Sequence, residues 1–237
     1  MASLGTILGV WAHPDDETYL SAGLMAQAVR DGHRVVCVTA TRGEEGSQDH
    51  ERWPPAEIGR VREKELDDAL AILGVKEHHW LDYHDGRCDQ VDPDEAIAKV
   101  AAIMRDVEPD TVLTFDPKGQ TLHPDHIVVH NWTTRAFARA AKPGARLYYT
   151  TQTPAWVEEF GPLLEPYNVF GPGTPVATPK ENCGIYVLLD DELIDIKLRA
   201  IRAQISQTEG LLSAFGDSFF SRGLREEAYV LGATKES

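Results

Sequence analysis

The chain has 237 residues, 42% of them hydrophobic and 26% charged, so it carries enough apolar surface for one full domain and is excluded from the disordered class. Its formal net charge of -15 argues against a nucleic-acid or membrane partner, because no large basic face is available to neutralise phosphates. No signal-peptide pattern, no apolar run near the ~18 residues of a membrane span, and three scattered cysteines (Cys37, Cys88, Cys183) point to a cytoplasmic protein without a disulfide framework or zinc ribbon.

In chain order, Thr6 to Ala12 reads as a buried strand, followed by helical spacing from Thr18 that Asp31-Gly32 stops. Arg34 to Thr41 is a second, β-branched run. After the polar loop "RGEEGSQDHERWPP", a helix is predicted from about Ala56 to Leu73, with Ile58, Val61, Leu66, Ala69 and Leu70 on one face and Gly74 at its end. His78 to Tyr83 reads as a third strand and Thr111 to Phe115 as a fourth. A capped helix between them turns Ile97, Val100, Ile103, Met104 and Val107 inward. A helix opens after "LHPDH", and Arg146 to Thr151 forms a fifth strand.

This β-α-β-α rhythm, with strands that lack clean alternation, predicts an α/β fold: a Rossmann-like parallel sheet with helices on both faces. Residues 1–150 are expected to form that core. Residues 151–237 form a small C-terminal α+β extension completing the substrate mouth of one compact unit. Within it, Gly161 to Glu181 reads as a Pro/Gly-rich loop, Gly184 to Leu189 as a strand, Asp190 to about Gln207 as a helix, and the remainder as an irregular tail.

Two segments carry most of the chemistry. His13-Pro14-Asp15-Asp16 lies just past the first strand, and His123-Pro124-Asp125-His126 a short loop past the fourth. In open parallel sheets ligands bind outside the carboxyl ends of the strands. Pro at the first helical position and acids in the first turn also suit a plain helix start, but His is not a favoured N-cap. Two such segments therefore point to a metal. Catalytic zinc takes three protein ligands and leaves room for water, and His13, Asp16 and one of His123 or His126 would supply that set. Asp15, adjacent to a ligand but aimed elsewhere, is the candidate general base, and the remaining His would donate to an oxyanion or a leaving amine. No G-x-G-x-x-G follows the first strand, which disfavours a nucleotide-binding module.

The stretches "AHPDDE" (Ala12 to Glu17) and "HPDH" (His123 to His126) resemble the two signature motifs of the LmbE-like, or PIG-L, zinc-dependent N-deacetylases. "TRGEEG" (Thr41 to Gly46) and "REKELDDALAILGV" (Arg62 to Val75) resemble further family segments. The resemblance implies that His13, Asp16 and His126 hold Zn2+, with another divalent ion such as Fe2+ also acceptable. It implies that Asp15 is the base, that His123 is the second catalytic group tuned by Asp125, and that Arg62 contacts substrate. The implied reaction removes the acetyl group from an N-acetylglucosamine-type sugar conjugate. Action on thiol conjugates or a natural product, or a phosphoesterase activity, are the rival readings, and a homo-oligomer is left open. Two positions depart from the family pattern: Thr121 stands where some members carry Tyr, and Gln204 where many carry His. Glu44 and Glu45 are read as solvated loop charges, and His78 to Asp85 as strand edge plus substrate-side loop rather than a second metal site. His33, His50 and His130 receive no role from the sequence.

Overall fold

The computed structural model describes residues 4–236. Strands β1 (Ile7–Trp11) and β2 (Val35–Thr41) are buried along their whole length, as apolar strands covered on both faces must be. They join β3 (Glu77–Tyr83), β4 (Thr111–Thr114), β5 (Arg146–Thr151), β6 (Ile185–Leu188) and β7 (Glu226–Thr234) in one sheet of order β3-β2-β1-β4-β5-β7-β6. The first five strands pair in parallel, with Ile7 opposite Val35 on one side and Thr111 on the other. The strand order reverses between β1 and β4. That is where a crevice opens at the carboxyl ends of a doubly wound sheet.

Helices α1 (Asp16–Arg30), α2 (Ile58–Leu73), α3 (Pro93–Val107), the single turn α4 (Gly119–Leu122) and α5 (Pro124–Ala140) complete the core. Their starts follow local chemistry: the Asp92 carboxylate caps α3 by accepting from the Asp94 N–H at 2.9 Å, with Pro93 at the first helical position. None of the helices among the described residues is long and apolar enough to cross a membrane.

The C-terminal part departs from the sequence expectation in four places. The sheet is mixed, because β7 runs antiparallel to both β5 and β6. Helix α6 (Pro154–Leu164) runs into the segment read as loop. The helix expected to reach Gln207 breaks at Gln204 into α7 (Asp191–Ala203) and α8 (Ile205–Gly223), and α8 bends again at Gly216, where φ is +68°. The tail is not irregular: it is α8 followed by a central strand. Glu226-Glu227 disguises the start of β7, since a central strand rarely opens on two acids. Glu227 is tolerated because Lys197 Nζ lies 2.7 Å from it, both side chains being 1% exposed, and because it accepts from the Gly23 and Leu24 N–H groups of α1.

Candidate metal centre

Both His-Pro-Asp segments lie at the reversal point. Asp16 Oδ2 accepts from the Ala12 and His13 N–H groups at 3.2 and 2.8 Å, which fixes the carboxylate at the end of β1. From there Asp16 Oδ1 stands 3.3 Å from His126 Nε2, His126 Nε2 stands 3.1 Å from His13 Nδ1, and His13 Nδ1 stands 3.7 Å from Asp16 Oδ2. Ligand atoms ~2.0–2.1 Å from a tetrahedral ion are about 3.3 Å apart, so the two nitrogens and the Asp16 carboxylate, whose two oxygens face one ring each, are spaced for a zinc-sized ion; His13, His123 and His126 also cluster closely enough to share one.

The outward nitrogens agree with that fit. His126 Nδ1 meets the Gly119 carbonyl at 2.9 Å, where only an N–H can donate, so Nε2 carries the free lone pair. The His126 ring stacks on Phe115 with centroids 4.2 Å apart. Gly119 has φ +65°, and a Cβ there would stand 2.6 Å from the His126 Cβ, so this turn accepts no side chain. His13 Nε2 faces Asp85 Oδ1 at 3.0 Å and Asp125 Oδ2 at 3.3 Å, the carboxylate–imidazole arrangement that orients metal-ligating histidines. Burial disfavours the His13 cation, but the hydrogen bonds to Asp125 and Asp85 outweigh it and carry the pKa to about 10. Burial holds His126 down at about 4.

Asp15 sits at the N-terminal boundary of α1 with φ 109°, a conformation seldom occupied by a residue other than glycine. Its N–H donates to Glu17 Oε2 at 3.1 Å, and Glu17 is itself fully buried and held by the Gln204 amide at 2.6 Å. The Asp15 side chain is 21% exposed, and burial raises its pKa to about 7 against the pull of Arg62. Arg62 lies 3.3 Å from Asp15 Oδ2 and donates to the carbonyls of Pro14 and Gly43 at 2.6 and 3.1 Å. Its guanidinium therefore braces the loop carrying Asp15.

His123 does cap α5, contrary to the expectation for His: its Nδ1 accepts from the Asp125 N–H at 3.2 Å. That bond assigns the proton of the neutral ring to Nε2, and burial lowers the pKa and favours this neutral form. The Asp125 carboxylate lies on His13 rather than on His123, because the first turn of α5 aims it across the crevice, where it also accepts from the Gly86 and Cys88 N–H groups.

Three participants were missed in the sequence. Asp85 follows β3 in an Asp-Gly turn at a carboxyl strand end, which was the available signal. Glu44 is no solvated charge: it accepts from the Asp85 N–H at 3.2 Å, while the Glu45 N–H donates to Asp85 Oδ2 at 3.1 Å. Gln204 reaches Glu17 from the α7–α8 break, a contact that sequence spacing cannot reveal. Thr121 Oγ1 lies 3.4 Å from His126 Nδ1.

The family model described as GlcNAc-PI de-N-acetylase (PIG-L) matches residues 8–137. The 1D-myo-inositol 2-acetamido-2-deoxy-alpha-D-glucopyranoside deacetylase of Thermobifida fusca (strain YX) is 34% identical over 213 residues, covering 71% of this chain and 73% of the relative. The deacetylase of the same name from Actinosynnema mirum is 32% identical over 96% of this chain and 92% of its own length. Other deacetylases so named are matched over only about half of their length. Among solved structures, N,N'-diacetylchitobiose deacetylase from Pyrococcus horikoshii superposes with a TM-score of 0.66 at 21% identity, over 95% of this chain and 83% of that one. At that identity the likeness is one of fold.

Proposed function

The chain belongs to the PIG-L family, and on that premise we propose that it is a zinc-dependent N-deacetylase removing the acetyl group from an N-acetylglucosamine-type conjugate. The observation that carries the reading is the convergence of His13 Nδ1, Asp16 and His126 Nε2 within 3.1 to 3.7 Å beside a carboxyl raised to about 7. His13, Asp16 and His126 would hold the cation, a two-nitrogen, one-oxygen donor set that hydrolytic zinc takes and that Fe2+ also accepts. A divalent ion there supplies Lewis-acid polarisation of the amide and a water acidic enough to ionise near neutral pH.

Asp15 takes the proton of the attacking water, and the burial that raises its pKa against the pull of Arg62 suits a base that must also return the proton. Arg62 and Glu17 keep the carboxylate at the mouth of the crevice. The His123 Nε2–H donates to the carbonyl oxygen as negative charge gathers there. Collapse then breaks the C–N bond, and the proton held by Asp15 passes to the amine nitrogen, giving acetate and the free amino sugar. Asp85 and Asp125 accept from His13 Nε2 and keep Nδ1 for the cation. These two carboxylates and His13 also cluster tightly enough to suggest a second ion, but they share the His13 ring with the first site. One cation accounts for the geometry, and a two-metal phosphoesterase is the weaker reading.

The test is primary-amine release from N-acetylglucosamine conjugates by zinc-loaded protein, beside Asp15→Asn. Release by the wild type and its loss in the variant support the reaction and the base. Equal release by both proteins removes Asp15 from the mechanism, and no release by zinc-bound wild type removes the sugar substrate.

A further inference from the structure

Next to the proposed ligands the crevice widens into a cavity of about 280 Å³. Its walls differ in chemistry. On the sheet side Asp15, Asp16 and His126 are joined by Gln120 and Gln152, and Tyr19 of α1 packs with Phe219 and Leu224 at the junction of the two walls. Opposite them, α6, α8 and the segment after α6 present Trp156, Phe160, Phe170, Phe219 and Leu224. The rings of that wall support one another: Trp156 lies 5.4 Å from Phe160 and 5.9 Å edge-on from Phe170, and Phe160 lies 5.5 Å edge-on from Phe219. The one polar atom among them is already used, since Trp156 Nε1 donates to the Gly223 carbonyl at 2.6 Å.

This volume far exceeds the needs of an acetyl methyl. An apolar cavity of about 150 Å³ already holds a benzene molecule. The Tyr19 hydroxyl, Gln120 Nε2 and Gln152 Oε1 are buried without a hydrogen-bond partner among the described residues. Buried polar atoms are nearly always paired in folded proteins, so these side chains keep an unspent hydrogen bond that they can turn toward a polar ligand in the cavity. The polar wall grows from α1 and the ends of β4 and β5. The apolar wall comes wholly from residues beyond 137, outside the segment that the family model matches.

We propose that this cavity is a subsite for an apolar aglycone. The acetamido sugar lies on the wall that carries Gln120 and Gln152, and an alkyl or aryl group on the sugar packs against α6 and α8. The inference rests on the N-deacetylase reading above. It makes an amphipathic glycoside, rather than a wholly polar conjugate, the preferred substrate.

The experiment measures kcat/KM for amine release from methyl and hexyl 2-acetamido-2-deoxy-glucopyranosides and from the methyl glycoside carrying an N-hexanoyl group. Calorimetry with the methyl and hexyl 2-amino-2-deoxy-glucopyranoside products reports binding without turnover. Each buried methylene is worth about three- to fourfold, so hexyl should exceed methyl by at least ~10-fold in both kcat/KM and affinity. Phe219→Gln and Phe170→Gln, checked for folding by circular dichroism and melting, should bring that ratio within about twofold of unity. Equal hydrolysis and equal binding of the methyl and hexyl compounds overturn the subsite and leave the deacetylase standing. Preferred hexyl binding with no hydrolysis of any glycoside supports the subsite and overturns the reaction. A gain from the N-hexanoyl chain in place of the aglycone overturns the assignment of the occupant.

Discussion

The metal end and the far wall of the crevice are held together by different forces. At the metal end nearly every side chain is fixed by a directional bond: Asp16 by two backbone amides, His126 by the Gly119 carbonyl, His13 by two carboxylates, and Asp85 by the Glu45 amide. A displacement of an ångström would break those bonds. The far wall instead rests on contacts between rings and aliphatic chains, with a single directional bond at Trp156. Apolar packing tolerates exchange of side chains of similar volume, whereas hydrogen-bonded geometry does not. The comparison teaches that one end is built to specify a reaction, and the other can be retuned to a different substrate without touching it.

That contrast can be broken most sharply at Asp15. Asp15→Asn should lower the rate of amine release by ~10²–10⁴-fold, with zinc stoichiometry unchanged by metal analysis. Away from both, between α7, β7 and α1, Lys197→Met strands Glu227 in the interior and should cost about 3–5 kcal/mol in denaturant unfolding. Adding Glu227→Gln should recover part of it, and zinc affinity should hardly move. If zinc affinity falls in parallel with stability, the geometry of the metal end depends on the packing of the whole fold and not on its own directional bonds.

Asp85→Asn probes the reverse case. Loss of this carboxylate beside His13 should weaken zinc binding about 10–100-fold in a chelator competition while leaving most of the stability in place. The smallest effect is one of pH. In the metal-free protein His13 has a pKa raised to about 10, so zinc must displace its proton. Zinc affinity should rise by about tenfold per pH unit between ~7 and ~9 on this account, with proton release seen in calorimetry across buffers. The same shift stabilises the metal-free fold fully below the ordinary His pKa of ~6.5, and that contribution disappears as pH rises through about 10. Zinc affinity that does not change over this range would show that His13 is already neutral.

The core was legible in the sequence because each strand there is an apolar run and each helix carries its own stop: Gly32 and Gly74 sit where the chain must turn left-handed, with φ +81° and +77°. The two His-Pro-Asp segments were legible for the same local reason. The first directly follows β1, the second follows β4 after the α4 turn, and order 3-2-1-4-5 brings β1 and β4 side by side. In the C-terminal extension β6 and the start of α7 were legible, whereas β7 was not. That strand opens on two acids, and the burial of the second, Glu227, depends on Lys197, 30 residues away in the chain, and on amides of α1.

Local chemistry thus determined the alternation of elements, the donor types at the proposed metal centre and the carboxylate next to them, since capping, periodicity and ligand spacing act over a few residues. Only the tertiary structure decided which nitrogen of each histidine is free, that Asp85 and Asp125 both serve His13, that Gln204 secures Glu17, and that an aromatic wall faces the ligands. Those outcomes depend on distances between segments far apart in the chain, and no local preference encodes a distance.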